Sequence, residues 1–245
     1  MELYRLEVKK IRLSAYLWGL LGMFASLLAL GILFLFLGNS EPEDEVLFTS
    51  WSGLFAMSTA LNVACFSIFS AVIAARIIVD EYCGKNAVLL FTYPVSRRTI
   101  LNRKSIILIG FTTAVTFVSN ILIIGGMYIT ARIFGIIPEL TVGNLPNGTI
   151  GKSEWYLLIS VLLSSFFAGI LSSAIGMISA VIGWKKRSVM TTIICSLIIV
   201  CFVPNLIAGS LSHIVLVMFF SGVLFILAAY VMYQILAKGI ERMEV

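Results

Sequence analysis

One short run has the residue types to hold a phosphate: Asn147-Gly148-Thr149-Ile150-Gly151-Lys152-Ser153. A nucleotide-binding loop needs G-x-x-x-x-G-K-[ST], because its backbone N–H groups close on the phosphates and its Lys reaches the terminal ones. The first glycine of that pattern would stand five places before Gly151, where the chain has Pro146. No strand precedes the run, so it predicts no nucleotide site. Asn147-Gly148-Thr149 is also a glycosylation sequon, of consequence only in a eukaryotic secretory pathway. His213 is the single histidine, and one imidazole builds neither a metal site nor a catalytic pair. Cys65, Cys83, Cys195 and Cys201 have no metal-ligand spacing, and no disulfide framework is expected of them. There is no Ser-His-Asp set, no HExxH and no intramembrane aspartate pair. The chain is therefore expected to carry no catalytic, cofactor or metal site of its own.

The elements that would position any site are apolar throughout. Hydrophobic residues make up 60% of the 245 and charged residues 12%, with a mean hydropathy of +1.07. That excludes an ordinary soluble globule. Charge-free runs occupy 13–40, 46–75, 105–131, 155–184 and 188–237. About 20 apolar residues cross a hydrocarbon core as a helix, so the first four runs hold one span each and the last holds two. Pro204-Asn205 and Gly209-Ser210 are expected to break that last run. The predicted spans are 15–38, 52–75, 106–131, 156–183, 189–204 and 212–236. The first run is too long for a cleaved signal, and continuous rather than alternating apolarity argues against a β-barrel.

The fold class expected is all-α: a polytopic membrane protein with six transmembrane helices. It reads as one domain, residues 1–245, with an interfacial helix at 1–14, a cytoplasmic loop at 76–105 and an extracytoplasmic loop at 132–155. In the first segment Tyr4, Val8 and Ile11 share a helical face opposite Arg5, Lys9 and Arg12. Of the 17 basic residues, all but Arg132 and Lys152 fall on one side of these spans. The positive-inside rule puts that side, with both termini, in the cytoplasm. The net charge of +5 is thus a topology signal; membrane lipid is the expected partner and nucleic acid is not.

No Asp, Glu, Lys or Arg falls in the central part of a span. Ion-coupled transport generally needs ionisable groups at membrane depth, so energy for any uphill transport would come from elsewhere. Asn62 and Asn120 sit mid-span; they would line a translocation path or, with about twice the weight, tie helices together. Span 4 carries a ridge of small residues four apart, Ser160, Ser164, Ala168, Ser172, Gly176 and Ala180, suited to close helix packing. The ridge drifts about 40° per step, so one partner cannot cover all of it.

The loop between spans 2 and 3 reads RIIVDEYCGKNAVLLFTYPVSRRTILNRK. Asn86 to Thr92 would form about two helical turns, ended by Tyr93-Pro94, and Ser96 would cap the helix starting at Arg97. Val88, Leu89, Leu90 and Phe91 are too few to cross a membrane and too apolar for a free loop. They would lie on headgroups or dock in a groove of a cytoplasmic partner.

At these residues the chain resembles the permeases of type-2 ATP-binding-cassette exporters. The acidic pair Asp80-Glu81, then Gly84, the apolar run, Pro94-Val95-Ser96-Arg97 and Lys104 follow that family's pattern, and Arg98 continues it. The basic N-terminal segment and the six-span plan match as well. The connection between spans 5 and 6 is shorter than the re-entrant outer helices common in that family. The resemblance implies a permease half in a bacterial plasma membrane, paired with a second copy or a sister permease. Two cytoplasmic ATPase subunits would supply ATP and magnesium, and the loop helix would be the coupling helix. Small size and the lack of a large outer domain look most like members that export, or confer immunity to, peptide antibiotics. Two other readings use the same features: a non-transporting assembly or sensory subunit docking a partner through the loop, or a passive channel.

Overall fold

In the computed structural model the residues described are 13–40, 51–80, 97–136, 150–208 and 214–241. All their regular structure is helical: α1 Leu13–Ser40, α2 Trp51–Ala74, α3 Arg97–Phe134, α4 Ile150–Lys185, α5 Val189–Ala208 and α6 Ile214–Glu241. In hydrocarbon a backbone N–H or C=O has no water to bond, so an apolar run long enough to cross satisfies its peptide groups within a helix. Five stretches are long and apolar enough to span: Trp18–Leu37, Gly53–Val79, Thr99–Phe134, Leu158–Lys185 and Val215–Gly239. Val189–Val203 of α5 is apolar but shorter.

Several boundaries differ from the sequence reading. α5 runs through Pro204 to Ala208, so the chain does not break at Pro204-Asn205. Pro204 leaves the Val200 carbonyl without its ladder N–H, and in a membrane helix neighbouring helices, hydroxyl side chains and local adjustment satisfy a carbonyl freed in this way. Lys152, Ser153, Glu154 and Trp155 belong to α4 rather than to an outer loop. Once a helix is nucleated by its apolar stretch, each added residue gains a backbone bond, so extension past the hydrocarbon is favourable. The predicted cytoplasmic loop 76–105 narrows on its α2 side, where the helix continues as a π-helical turn over Ala75–Val79. α3 begins at Arg97, where the sequence reading starts that helix. The expected interfacial segment lies almost wholly outside the described residues, which start at Leu13.

α4 is the hub, packed against α2, α3, α5 and α6, while α1 lies on α2 and α3. Ile73, Ala74 and Ile78 of the α2 end, Leu101 and Leu108 of α3, Ala180 and Val181 of α4, and Leu236 and Ala237 of α6 form one buried cluster. These ends therefore meet on one side of the bundle. Arg76, Arg103, Lys104, Lys185, Lys186, Arg187 and Lys238 gather there with them. At the opposite end Arg132 donates to the Tyr128 hydroxyl at 2.9 Å and lies over its ring. Trp51 of α2 packs on Tyr128 and Phe36 of α1 meets Phe134 edge to face. Amphipathic aromatics of this kind suit a membrane–water boundary.

Candidate functional site: a polar seam and the exit of α2

The hydroxyl and amide side chains of α2, α3 and α4 turn inward on one another. Asn62 and Asn120 are both 0% exposed. Asn62 Nδ2 donates to the Thr116 carbonyl at 3.5 Å, and Ser119 donates to Asn62 Oδ1 at 3.2 Å. Asn120 Nδ2 donates to Ser165 Oγ at 2.9 Å. Thr116 and Ser172 bring their hydroxyls within 3.0 Å, and Thr113 donates to the Gly169 carbonyl at 3.4 Å. Both asparagines thus bond between helices inside the chain's own bundle. Each interhelical bond contributes about 0.6 kcal/mol on average in a membrane, so the set acts by number and direction rather than by single strength.

Small residues make that closeness feasible. A Cβ on Gly169 would stand 2.7 Å from the Thr113 carbonyl oxygen, and one on Gly176 would stand 2.8 Å from Ser70 Cβ. Glycine is therefore required at both crossings. Ser164, Ala168, Ser172, Gly176 and Ala180 are all buried. They serve different neighbours, as the drift of the ridge requires. Ala168 packs with Ala56, Ala60 and Val63 of α2. Ser172 meets α3, Gly176 meets α2, and Ala180 joins the cluster at the basic end. The α3 hydroxyls of the seam, unlike the α4 serines, escaped the sequence reading. Their signal was Thr112, Thr116 and Ser119 with Asn120, at spacings of four and three on α3.

α2 leaves this seam through its π turn. The N–H of Asp80 bonds to the Ala75 carbonyl, five residues back, and Asp80 is exposed at the end. Ala75, Ile78 and Val79 are buried while Arg76 is exposed. A π turn holds one residue more than an α turn and is often found at functional positions. Here it sets the azimuth at which the chain enters the loop. Glu81, Gly84, Val88, Leu89, Leu90, Phe91, Pro94 and Ser96 lie outside the described residues, and Arg97 and Arg98 are the first two residues of α3.

The arrangement has mechanical rather than acid–base content. No group of three or more His, Cys, Asp or Glu that would hold a metal occurs among the described residues. The seam fastens α2, α3 and α4 to one another, and the loop joins α2 to α3. A force on the loop would be felt by all three helices.

Comparison with known proteins agrees with this layout. The model of the ABC-2 family transporter proteins matches residues 3–202. A Bacillus subtilis (strain 168) protein named "Uncharacterized protein YcbO" is 28% identical over 216 residues, covering 88% of this chain and 89% of that one. No solved structure matches.

Proposed function

Because the chain belongs to the ABC-2 family of transporter proteins, we propose that it works as the permease of an exporter, driven through its α2–α3 loop by separate ATPase subunits. The coarser part follows from the family: this is a multi-pass membrane protein and a permease subunit of an ATP-binding-cassette transporter. The finer reading is ours. Two copies of a cytoplasmic ATPase bind ATP and magnesium, and the chain itself catalyses nothing. A second permease copy or a sister permease completes the path. The basic end faces the cytoplasm by the positive-inside rule. The substrate class is an amphipathic peptide, drug or lipid-like molecule.

The observation that carries this reading is the seam that ties α2 and α3, the two helices the loop joins, to each other and to α4. Asp80, Glu81, Gly84, the Val88–Phe91 run, Pro94 and Ser96–Arg98 form the handle, and helices fastened at Asn62, Thr116 and Ser172 form the body it would move. The inside-to-outside switch is a tilt of that body. Asn62 and Asn120 contribute to the path through the shape of the seam they hold. The test is purification from the native membrane followed by reconstitution. A cytoplasmic ATPase should copurify, and the vesicles should move substrate only with ATP. Transport by the chain alone, without ATP, would sink the reading. ATPase association without any substrate movement would favour an assembly or sensory subunit.

A further inference from the structure

The turn between α4 and α5 has chemistry the transport reading leaves unused. Lys185, Lys186 and Arg187 stand side by side and all three are exposed. The turn is tight. Lys186 N–H bonds to the Ile182 carbonyl at 3.1 Å, Arg187 N–H to Trp184 at 3.0 Å and Ser188 N–H to Gly183 at 3.0 Å. Arg187 takes φ +50°, the left-handed region in which glycine would be relaxed. A cation occupies the one turn position where backbone chemistry asks for no side chain.

Directly beneath runs an apolar column on α5: Met190, 70% exposed, then Ile194, Leu197, Ile198 and Phe202. The opposite face of α5 carries buried Thr192, Ser196 and Val203. The same helix thus offers three positive charges at its head and a wall for hydrocarbon below them. Depth decides what fits. The apolar stretch of α5, Val189–Val203, starts four residues after the spanning stretch of α4 ends at Lys185, so the two helices turn back at the rim of the hydrocarbon core. The first residue of α5, Val189, therefore sits at the edge of that core, and the basic turn one step earlier sits among headgroups.

We propose that the Lys185-Lys186-Arg187 turn and the exposed column of α5 form a binding site for an anionic phospholipid of the inner leaflet. The phosphate sits on the basic turn and the acyl chains lie along Met190, Ile194 and Ile198. The site is separate from the α2–α3 loop, so its test can fail without touching the transport reading.

The experiment offers the detergent-purified full chain equal amounts of phosphatidylglycerol and phosphatidylcholine with the same acyl chains, and counts bound lipids by native mass spectrometry. Phosphatidylglycerol should be preferred, and each charge removed should lower the preference about fivefold. Lys185→Gln/Lys186→Gln/Arg187→Gln should abolish it, whereas Lys238→Gln at the same end of the bundle should leave it in place. Should the triple variant fail to insert, Lys186→Gln and Arg187→Gly decide singly. Arg187→Gly also relaxes the backbone, so a residue serving the turn alone would leave lipid preference unchanged. No preference in the parent chain, or an undiminished one in these variants, overturns the proposal. Loss of a copurifying ATPase with lipid binding intact overturns it too, because the turn would then be a protein-docking surface.

Discussion

Thr116 and Ser172 meet hydroxyl to hydroxyl at 3.0 Å where α3 crosses α4, and Thr116 bonds as well to the Thr112 carbonyl one turn back. Thr116→Val keeps the shape and removes the hydroxyl. Paired with Ser172→Ala in a double-mutant cycle, it should reveal a coupling of about 0.6 kcal/mol, measured by unfolding in mixed micelles. Additive effects would mean that the two hydroxyls do not interact.

A larger effect is expected at Asn62, which accepts from Ser119 and donates to Thr116. Asn62→Leu leaves a buried hydroxyl and a carbonyl without this partner, at a cost of about 1–3 kcal/mol. The same unfolding assay should show a clear drop in stability. Stability equal to the parent chain would show that the seam contributes nothing at this point.

Gly176 tests close approach rather than bonding. A Cβ there collides with Ser70 Oγ and meets Ser70 Cβ at 2.8 Å and its carbonyl carbon at 3.1 Å. Gly176→Leu should push α2 off α4 and sharply lower the yield of monodisperse protein. Gly176→Ala should cost about 1–3 kcal/mol as an overpacked contact. Adding Ser70→Gly should recover part of that loss, since it removes the Cβ contact and leaves the backbone one.

The handle is tested by charge. Leu90→Glu or Phe91→Glu should insert normally yet lose the copurifying ATPase, because a carboxylate in an apolar groove is costly to desolvate. Unchanged recovery of the ATPase would remove these residues from the docking surface.

The π turn makes a separate prediction. Deleting Ile77 turns the Asp80 bond to the Ala75 carbonyl into an ordinary i→i−4 bond, so the residues after it keep their face of the helix. ATPase association and ATP-driven transport should both survive. Loss of transport from the shortened helix would show that the extra residue of the turn does more than fix the direction in which the chain leaves α2.

The membrane fold was legible because apolar runs and stranded charges are one-dimensional signals. Ala168, Ser172 and Gly176 were readable as packing residues since a four-residue period survives projection onto a helix. Asn62 and Asn120 were visible, but the choice of Ser119 and Ser165 as partners depends on how far α3 slides along its neighbours, which no local pattern encodes. The π turn was invisible, because an apolar run with one arginine, as in Ala75–Val79, reads as the end of any span and does not mark a bond five residues back. Pro204 misled, since a helix in hydrocarbon has no water to bond its backbone and so keeps its ladder around a proline that would end a helix in water.

α3 reaches far beyond what crossing a membrane demands, and Thr116 divides it almost evenly. Nineteen residue steps separate Arg97 from Thr116 and eighteen separate Thr116 from Phe134 (116 − 97 and 134 − 116), about 28 Å and 27 Å. A rod held at its midpoint is a balanced lever. A few ångströms of travel at the loop would return as nearly equal, opposite travel at the far tip. That tip is where Phe134 meets Phe36 and Tyr128 meets Trp51, so the stroke would be delivered undiminished to the outer ends of α1 and α2.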